Sequence, residues 1–271
     1  MPKIKIDLIE GVSMSLFSTL YMKYIEAKKK NGVIFDQRSI DIVETIDYDF
    51  SKFNPTKNNI NSIVLRAKYF DEKVSLFIQK NKNPIIVTLG CGLDTRKYRI
   101  KNSEKAIFYE IDFPNVINLR TKLIPPQKND NYLGQSILDN DWINTLAKKH
   151  NNAQFIFIIE GVLMYLHESE VKKIIQNIAE YFPNCEIHFD ASNTWLTKNF
   201  IFYDNASKTQ IKFKWGFDDD KEIEKWSNNI KHIATALLLN QEKIKWGLKG
   251  IIMRRIPIFK TAYRMLHYNI N

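Results

Sequence analysis

The chain has 271 residues, with 40 Lys/Arg against 30 Asp/Glu and a formal charge of +10. That length suits one globular unit with a substantial core, and the lysines are scattered among asparagines rather than gathered in a block, so nucleic acid is not indicated. Cys91 and Cys185 match neither a disulfide nor a metal spacing, the amino terminus is interrupted by Lys3, Lys5, Asp7 and Glu10, and no apolar run approaches the ~18 residues of a membrane span; the expectation is a reducing, cytoplasmic setting with no membrane partner and no metal.

From the amino terminus, Leu16, Leu20, Tyr24 and Ala27 recur at helical spacing, which predicts a helix over 13–30, and a second follows over 38–46. The polar run SKFNPTKNNINS at 51–62 predicts a loop, and Val64, Tyr69, Val74 and Phe77 predict a helix over 63–78. Lys23 and Arg66 are the cations of interest in this preamble. The stretch PIIVTLGCGLDTR follows, in which the β-branched run 85–89 reads as a buried strand entering the glycine turn Gly90-Cys91-Gly92. Asp94 is expected to cap a helix starting at Thr95, aiming free backbone N–H groups out of the strand's carboxyl end, where open α/β sheets bind ligands.

The ligand class depends on the third glycine of G-x-G-x-x-G, which permits close helix packing around a pyrophosphate; here that position is Thr95, which disfavours a dinucleotide. Asp112 ends the next strand, 20 positions after Gly92, at the distance where a carboxylate reaches a ribose diol. A glycine turn with this acid and no third glycine suits S-adenosylmethionine (SAM), which has ribose hydroxyls and no phosphate.

A helix over 114–123, a third strand over 131–134, a helix over 141–150 and an apolar strand over 155–159 continue the alternation, the last ending at Glu160-Gly161. With a helix over 167–181 and a strand over 185–189, the fold expected is α/β: a doubly wound, mostly parallel sheet behind amino-terminal helices. Past 193 the rhythm breaks into a polar-aromatic insertion containing FKWGFDD, with a helix over 221–229 and a strand over 230–234. The tail either closes the sheet antiparallel or packs outside it. The organisation expected is a single unit, 1–271, with a helical cap at 1–80, a SAM-binding core at 84–190 and a substrate-side segment at 191–271.

In order along the chain, SMSLFSTLYMKYIEA, VLRAKYFDE, VTLGCGLDTRKYRI, YEIDFPNVINLR, SILDNDW and EGVLMYL resemble the leucine carboxyl methyltransferase family, which includes polyketide-type O-methyltransferases. The resemblance runs almost end to end. It implies a class I SAM-dependent methyltransferase in which Gly90 and Gly92 line the SAM site, Asp112 holds the ribose, and Ser136 and Ile137 flank the adenine. It further implies that Glu160 faces the methionine part, Arg66 meets the methionine carboxylate, and Lys23 occupies a basic position. Ser136 departs from the Asp that protein-methylating members tend to carry.

Methyl transfer from a sulfonium is a single displacement that asks the protein mainly to align groups and exclude water. A carboxylate acceptor, with a reference pKa near 4, arrives ionised, whereas a phenol near 10 gains from a base, and none of His150, His167, His188, His232 and His267 stands at motif spacing. The reading is therefore O-methylation of a small, acidic molecule, with Arg66 ordering the site and Tyr165 a candidate to touch the acceptor. Alternatives are a protein C-terminal carboxylate as acceptor, a non-catalytic SAM-binding module, and a nicotinamide-dependent reductase.

Overall fold

The computed structural model describes residues 3–4, 13–150, 153–204 and 209–271; Lys5, Asp7 and Glu10 lie outside them. Helix α1 (Ser13–Ala27) packs with helix α2 (Gln37–Thr45) and with α3 (Lys57–Lys80), the long helix that leads into strand β1 (Pro84–Leu89). The α3 start corrects the expected loop over 51–62. Thr56 and Asn59 form a reciprocal capping box, Ile60 packs in the core, and the Asn61 amide donates to the Lys245 carbonyl at 2.9 Å. These tertiary contacts outweigh the poor helix propensity of an asparagine-rich turn.

A four-residue helix, α4 (Arg96–Arg99), follows the glycine turn. Strand β2 (Ile107–Asp112), α5 (Pro114–Leu123), β3 (Asp130–Gly134), α6 (Asp141–Lys149), β4 (Gln154–Ile159), α7 (Glu168–Tyr181) and β5 (Cys185–Ser192) then alternate as expected. Beyond them lie α8 (Thr194–Asn199) and an antiparallel hairpin of β6 (Ile201–Asp204) with β7 (Thr209–Lys212). The helix expected over 221–229 is only a 3-10 turn, Glu222–Trp226, before strand β8 (Ile230–Leu237). Short helices α9 (Gly247–Met253) and α10 (Pro257–Lys260) precede strand β9 (Tyr263–Ile270).

Among the described residues, seven strands form one sheet in the order β3-β2-β1-β4-β5-β9-β8. Neighbours pair in parallel from β3 across to β5, and β9 runs antiparallel between β5 and β8, so the tail closes the sheet. Side chains alternate across it. Ile85, Val87 and Leu89 pack with Trp142, Ile174 and Ile178 on the α6–α7 side, while Ile86, Phe108, Ile156 and Ile158 pack with Val64, Phe70 and Val74 of α3 on the other. A third cluster of Phe17, Leu20, Ile42, Val43 and Leu119 binds α1 and α2 to α5. No helix among the described residues is long and apolar enough to cross a membrane.

The doubly wound order brings the carboxyl ends of β1 to β5 to one edge, where a crevice opens between β1 and β4 as the winding reverses. Because β9 starts opposite Ser192, the connection from β8 to β9 also lies at that edge.

Candidate functional site

The glycine turn sits at this edge. Gly90 and Gly92 have φ of +71° and +50°, and a Cβ on Gly92 would stand 2.7 Å from Leu16 Cδ2, so α1 comes down onto the turn closely enough to exclude a side chain. The Gly90 amide donates to the Ile111 carbonyl at 2.8 Å, tying the turn to β2. One residue on, Asp112 is aimed by backbone alone: its Oδ2 accepts from the Gly92 amide at 2.8 Å and its Oδ1 from the Phe113 amide at 2.8 Å. Burial pushes its carboxyl up, opposed by those two amides and by Arg120.

Asp94 does not cap a helix, in contrast to the sequence expectation. Thr95 is the N-cap of α4 and makes no side-chain cap, because its hydroxyl donates to Asp36 at 2.5 Å, and the Asp94 carboxylate is taken up by Lys23 (2.6 Å), Arg96 (3.1 Å) and Arg99 (3.1 Å). A four-residue helix offers no anion site of the kind expected there. The turn is instead held from behind by Arg120, whose guanidinium donates to the carbonyls of Gly92 at 3.0 Å and Asp94 at 2.8 Å.

Between the turn and β4 lies a buried charge network. Arg66 of α3 reaches Glu160 at 3.0 Å, Asp190 at 3.0 Å and the Tyr263 hydroxyl at 2.8 Å, while Arg96 closes on the second oxygen of Glu160 and meets Asp71 at 3.0 Å. Asp190 also accepts from the Tyr263 hydroxyl and from the Gly161 amide, the latter at 2.7 Å. Four cations, Lys23, Arg66, Arg96 and Arg99, thus face five carboxylates, Asp36, Asp71, Asp94, Glu160 and Asp190. Burial alone would raise the carboxyls, but Arg96, Lys23 and Arg99 hold Asp94 well below the usual range, and Arg66, Arg96 and Lys23 hold Glu160 below it. Asp190 goes the other way: its burial wins over Arg66 and raises it.

The structure therefore gathers Lys23, Arg66 and Glu160 into one network and places Gly90, Gly92 and Asp112 beside it. Ser136 and Ile137 lie just past β3 in a turn where the Ser136 amide donates to Asp139 at 3.2 Å and the Ile137 carbonyl accepts from Trp142 Nε1 at 3.2 Å. Tyr165 is 39% exposed, and its ring meets Phe213 edge-on at 5.6 Å between centroids. Burial pushes its hydroxyl up, with Arg66 acting against that. Sequence reasoning missed Asp36, Asp71, Asp190, Arg96, Arg99 and Tyr263. For Asp190 a signal was there, an acid directly after the strand expected over 185–189, as Glu160 follows β4; for Tyr263, on a strand far along the chain, there was none.

A sheet of this order with a glycine turn after β1 and a backbone-aimed acid ending β2 defines the class I SAM-dependent methyltransferases. The same architecture is found in a methyltransferase structure from Thermobifida fusca (TM-score 0.57, 12% identity, 97% of this chain and 100% of that one) and in one from Listeria monocytogenes (TM-score 0.52, 12% identity, 76% and 98%). Residues 21–179 match the leucine carboxyl methyltransferase model, and the chain belongs to that family. The tetracenomycin polyketide synthesis O-methyltransferase TcmP of Streptomyces glaucescens is 26% identical over 267 residues (96% of this chain, 97% of that protein). The SAM-dependent methyltransferase dpfgK of Gibberella zeae is 26% identical over 280 residues (95% and 93%). The protein is a SAM-dependent methyltransferase.

Proposed function

We propose that the protein transfers the methyl group to an oxygen, specifically a carboxylate, of a small acidic acceptor. The observation that carries this reading is a cavity of about 460 Å³ lined by Lys198, Lys212, Lys214, Phe200, Phe213 and Trp215, with Glu168 at its wall. Aromatic rings join it to the charge network: Phe200 stacks on Phe213 at 4.1 Å, Phe213 meets Tyr165, and the Tyr165 hydroxyl lies within the electrostatic reach of Arg66 and Asp190. The backbone amides of Lys214 and Trp215 both donate to the Met164 carbonyl, at 2.7 and 3.3 Å, which pins this wall beside Tyr165. Flat apolar walls with three ammonium groups suit an aromatic or polyketide-like acid. The likeness to TcmP, an O-methyltransferase of polyketide synthesis, supports an oxygen acceptor on a polyketide-like molecule.

The residues present fit SAM. Gly92 leaves a side-chain-free cradle under Leu16, and each Asp112 oxygen, holding one amide, keeps lone pairs for the ribose hydroxyls. In this reading Gly90 and Gly92 line the cofactor, Ser136 and Ile137 flank the adenine, Glu160 faces the amino-acid end, and Arg66 and Lys23 supply positive charge to its carboxylate. When bound, SAM supplies an electrophilic methyl on a sulfonium. The chain's own residues then do three things: α1 covers the turn, the lysine wall orients an anion, and Tyr165, protonated at neutral pH, donates to the acceptor. A carboxylate with a pKa of about 4 needs no base.

A SAM-saturated assay over acids, phenols and amines tests this, with products exposed to mild alkali, which hydrolyses methyl esters and spares ethers and amines. Alkali-labile product is expected from aromatic acids. An alkali-stable product would transfer the reading to a phenol or amine and start the search for a base at Tyr165 and His167.

A further inference from the structure

We propose a divalent transition-metal site at Glu186, His188 and His267, on the face of the β5–β9 pair that looks toward α3 and two residues back from the Arg66–Asp190 cluster. Glu186 and His188 are alternate residues of β5 and so share a face, and the register sets His267 of β9 directly opposite His188. Their ligand atoms lie within 4.8 Å of one another. Both imidazoles turn Nε2 to one carboxylate oxygen: Glu186 Oε2 stands 2.9 Å from His188 Nε2 and 3.4 Å from His267 Nε2. Ligand atoms bound about 2.05 Å from a tetrahedral zinc ion are separated from each other by about 3.3 Å, so the 3.4 Å spacing already matches and the 2.9 Å one has only to open slightly.

The surroundings suit a cation held by neutral nitrogen donors. His188 is fully buried and His267 is half-buried, with 15% of its side chain exposed. The Glu186 side chain is 31% exposed, leaving a route to solvent and room for water as a fourth ligand. His188 Nδ1 is buried without a hydrogen-bond partner, and His267 Nε2 lies 2.9 Å from Asn269 Oδ1, a bond that metal coordination would replace. Lys73 and Lys80 act on the cluster from α3, which limits the affinity. Two histidines and a carboxylate favour Zn²⁺, Cu²⁺ or Ni²⁺ over Mg²⁺ or Ca²⁺. The ion would clamp β5 to β9 in the register that also places Asp190 and Tyr263 on Arg66.

The test is calorimetric titration of zinc chloride into the full chain, freed of any purification tag and dialysed against a chelator. One equivalent should bind with micromolar Kd or tighter and raise Tm, and Co²⁺ should give the intense visible bands of a four-coordinate ion. His267→Gln and Glu186→Gln should each weaken zinc at least tenfold while circular dichroism and S-adenosylhomocysteine affinity stay unchanged. Absence of stoichiometric binding below millimolar zinc, or wild-type zinc affinity in the two variants, overturns the site. Should either variant unfold, the wild-type chain still decides: saturating zinc should protect His267 from diethyl pyrocarbonate, and unchanged modification overturns the proposal.

Discussion

The two halves of the ligand edge are built on different terms. On the β1–β2 side, Asp112 is held by the amides of Gly92 and Phe113, so its aim depends on backbone and on two glycines. On the β4–β5–β9 side, apart from the Gly161 amide on Asp190, the contacts run side chain to side chain, and Arg66 reaches partners 94, 124 and 197 residues away in the chain. A backbone-aimed acid can be replaced with little effect on the fold and so acts mainly on binding. In a buried network each member neutralises the others, so removing one exposes the rest to their full desolvation cost.

The largest expected effect follows from that contrast. Arg66→Ala leaves Glu160 and Asp190 buried without their shared cation and should cost about 3–5 kcal/mol of stability in denaturant unfolding. A loss under about 1 kcal/mol would mean the two halves are alike. Ligand should separate them from the other direction: SAM at a hundredfold excess over Kd should add about 2.7 kcal/mol, and NAD or NADP should add nothing. Stabilisation by NADP alone would break the account of Thr95 at the third glycine position.

Asp112→Ala should weaken SAM by on the order of 1.5–3 kcal/mol with circular dichroism unchanged, since charge-assisted bonds are lost while the turn's backbone contacts stay. Calorimetry showing equal affinity in mutant and wild type would remove Asp112 from the site. Beneath the turn, burial raises Glu110 to about 7, with Arg120 opposing it. Glu110 therefore binds its proton more tightly folded than unfolded, and the stability this contributes is complete below its ordinary value of 4.5 and lost as pH rises through 7. Glu110→Gln should make the chain's stability less dependent on pH between 4.5 and about 7, by about 2–3 kcal/mol, and parallel curves would show that Glu110 is ionised throughout.

The smallest effect belongs to the cavity wall. Lys198→Ala and Lys214→Ala, both exposed, should each raise the acceptor KM by about 0.5–1 kcal/mol and leave SAM affinity alone, with the difference shrinking in high salt. An unchanged KM at low salt would argue that the acceptor is not anionic.

The strand–turn–acid unit was legible because its parts are near neighbours in the chain and each obeys a local rule: β-branched residues for the strand, glycine for positive φ, a carboxylate one strand on. The family's other segments were recognisable in order, so Lys23, Arg66 and Glu160 could be named without the fold. Local rules failed where a distant partner claimed the group. Asp94 has the chemistry of a helix cap, but Lys23, Arg96 and Arg99 bind it more strongly than backbone amides would. An asparagine-rich turn became helix because Lys245, far along the chain, accepts from Asn61. The sequence by itself determined the alternation, the glycine cradle and the cofactor class. Only the tertiary structure decided that β9 runs antiparallel beside β5 and so places Tyr263 on Asp190, and that the lysines of the insertion share a wall with aromatic rings, because those contacts are set by packing between segments with no local signal for each other.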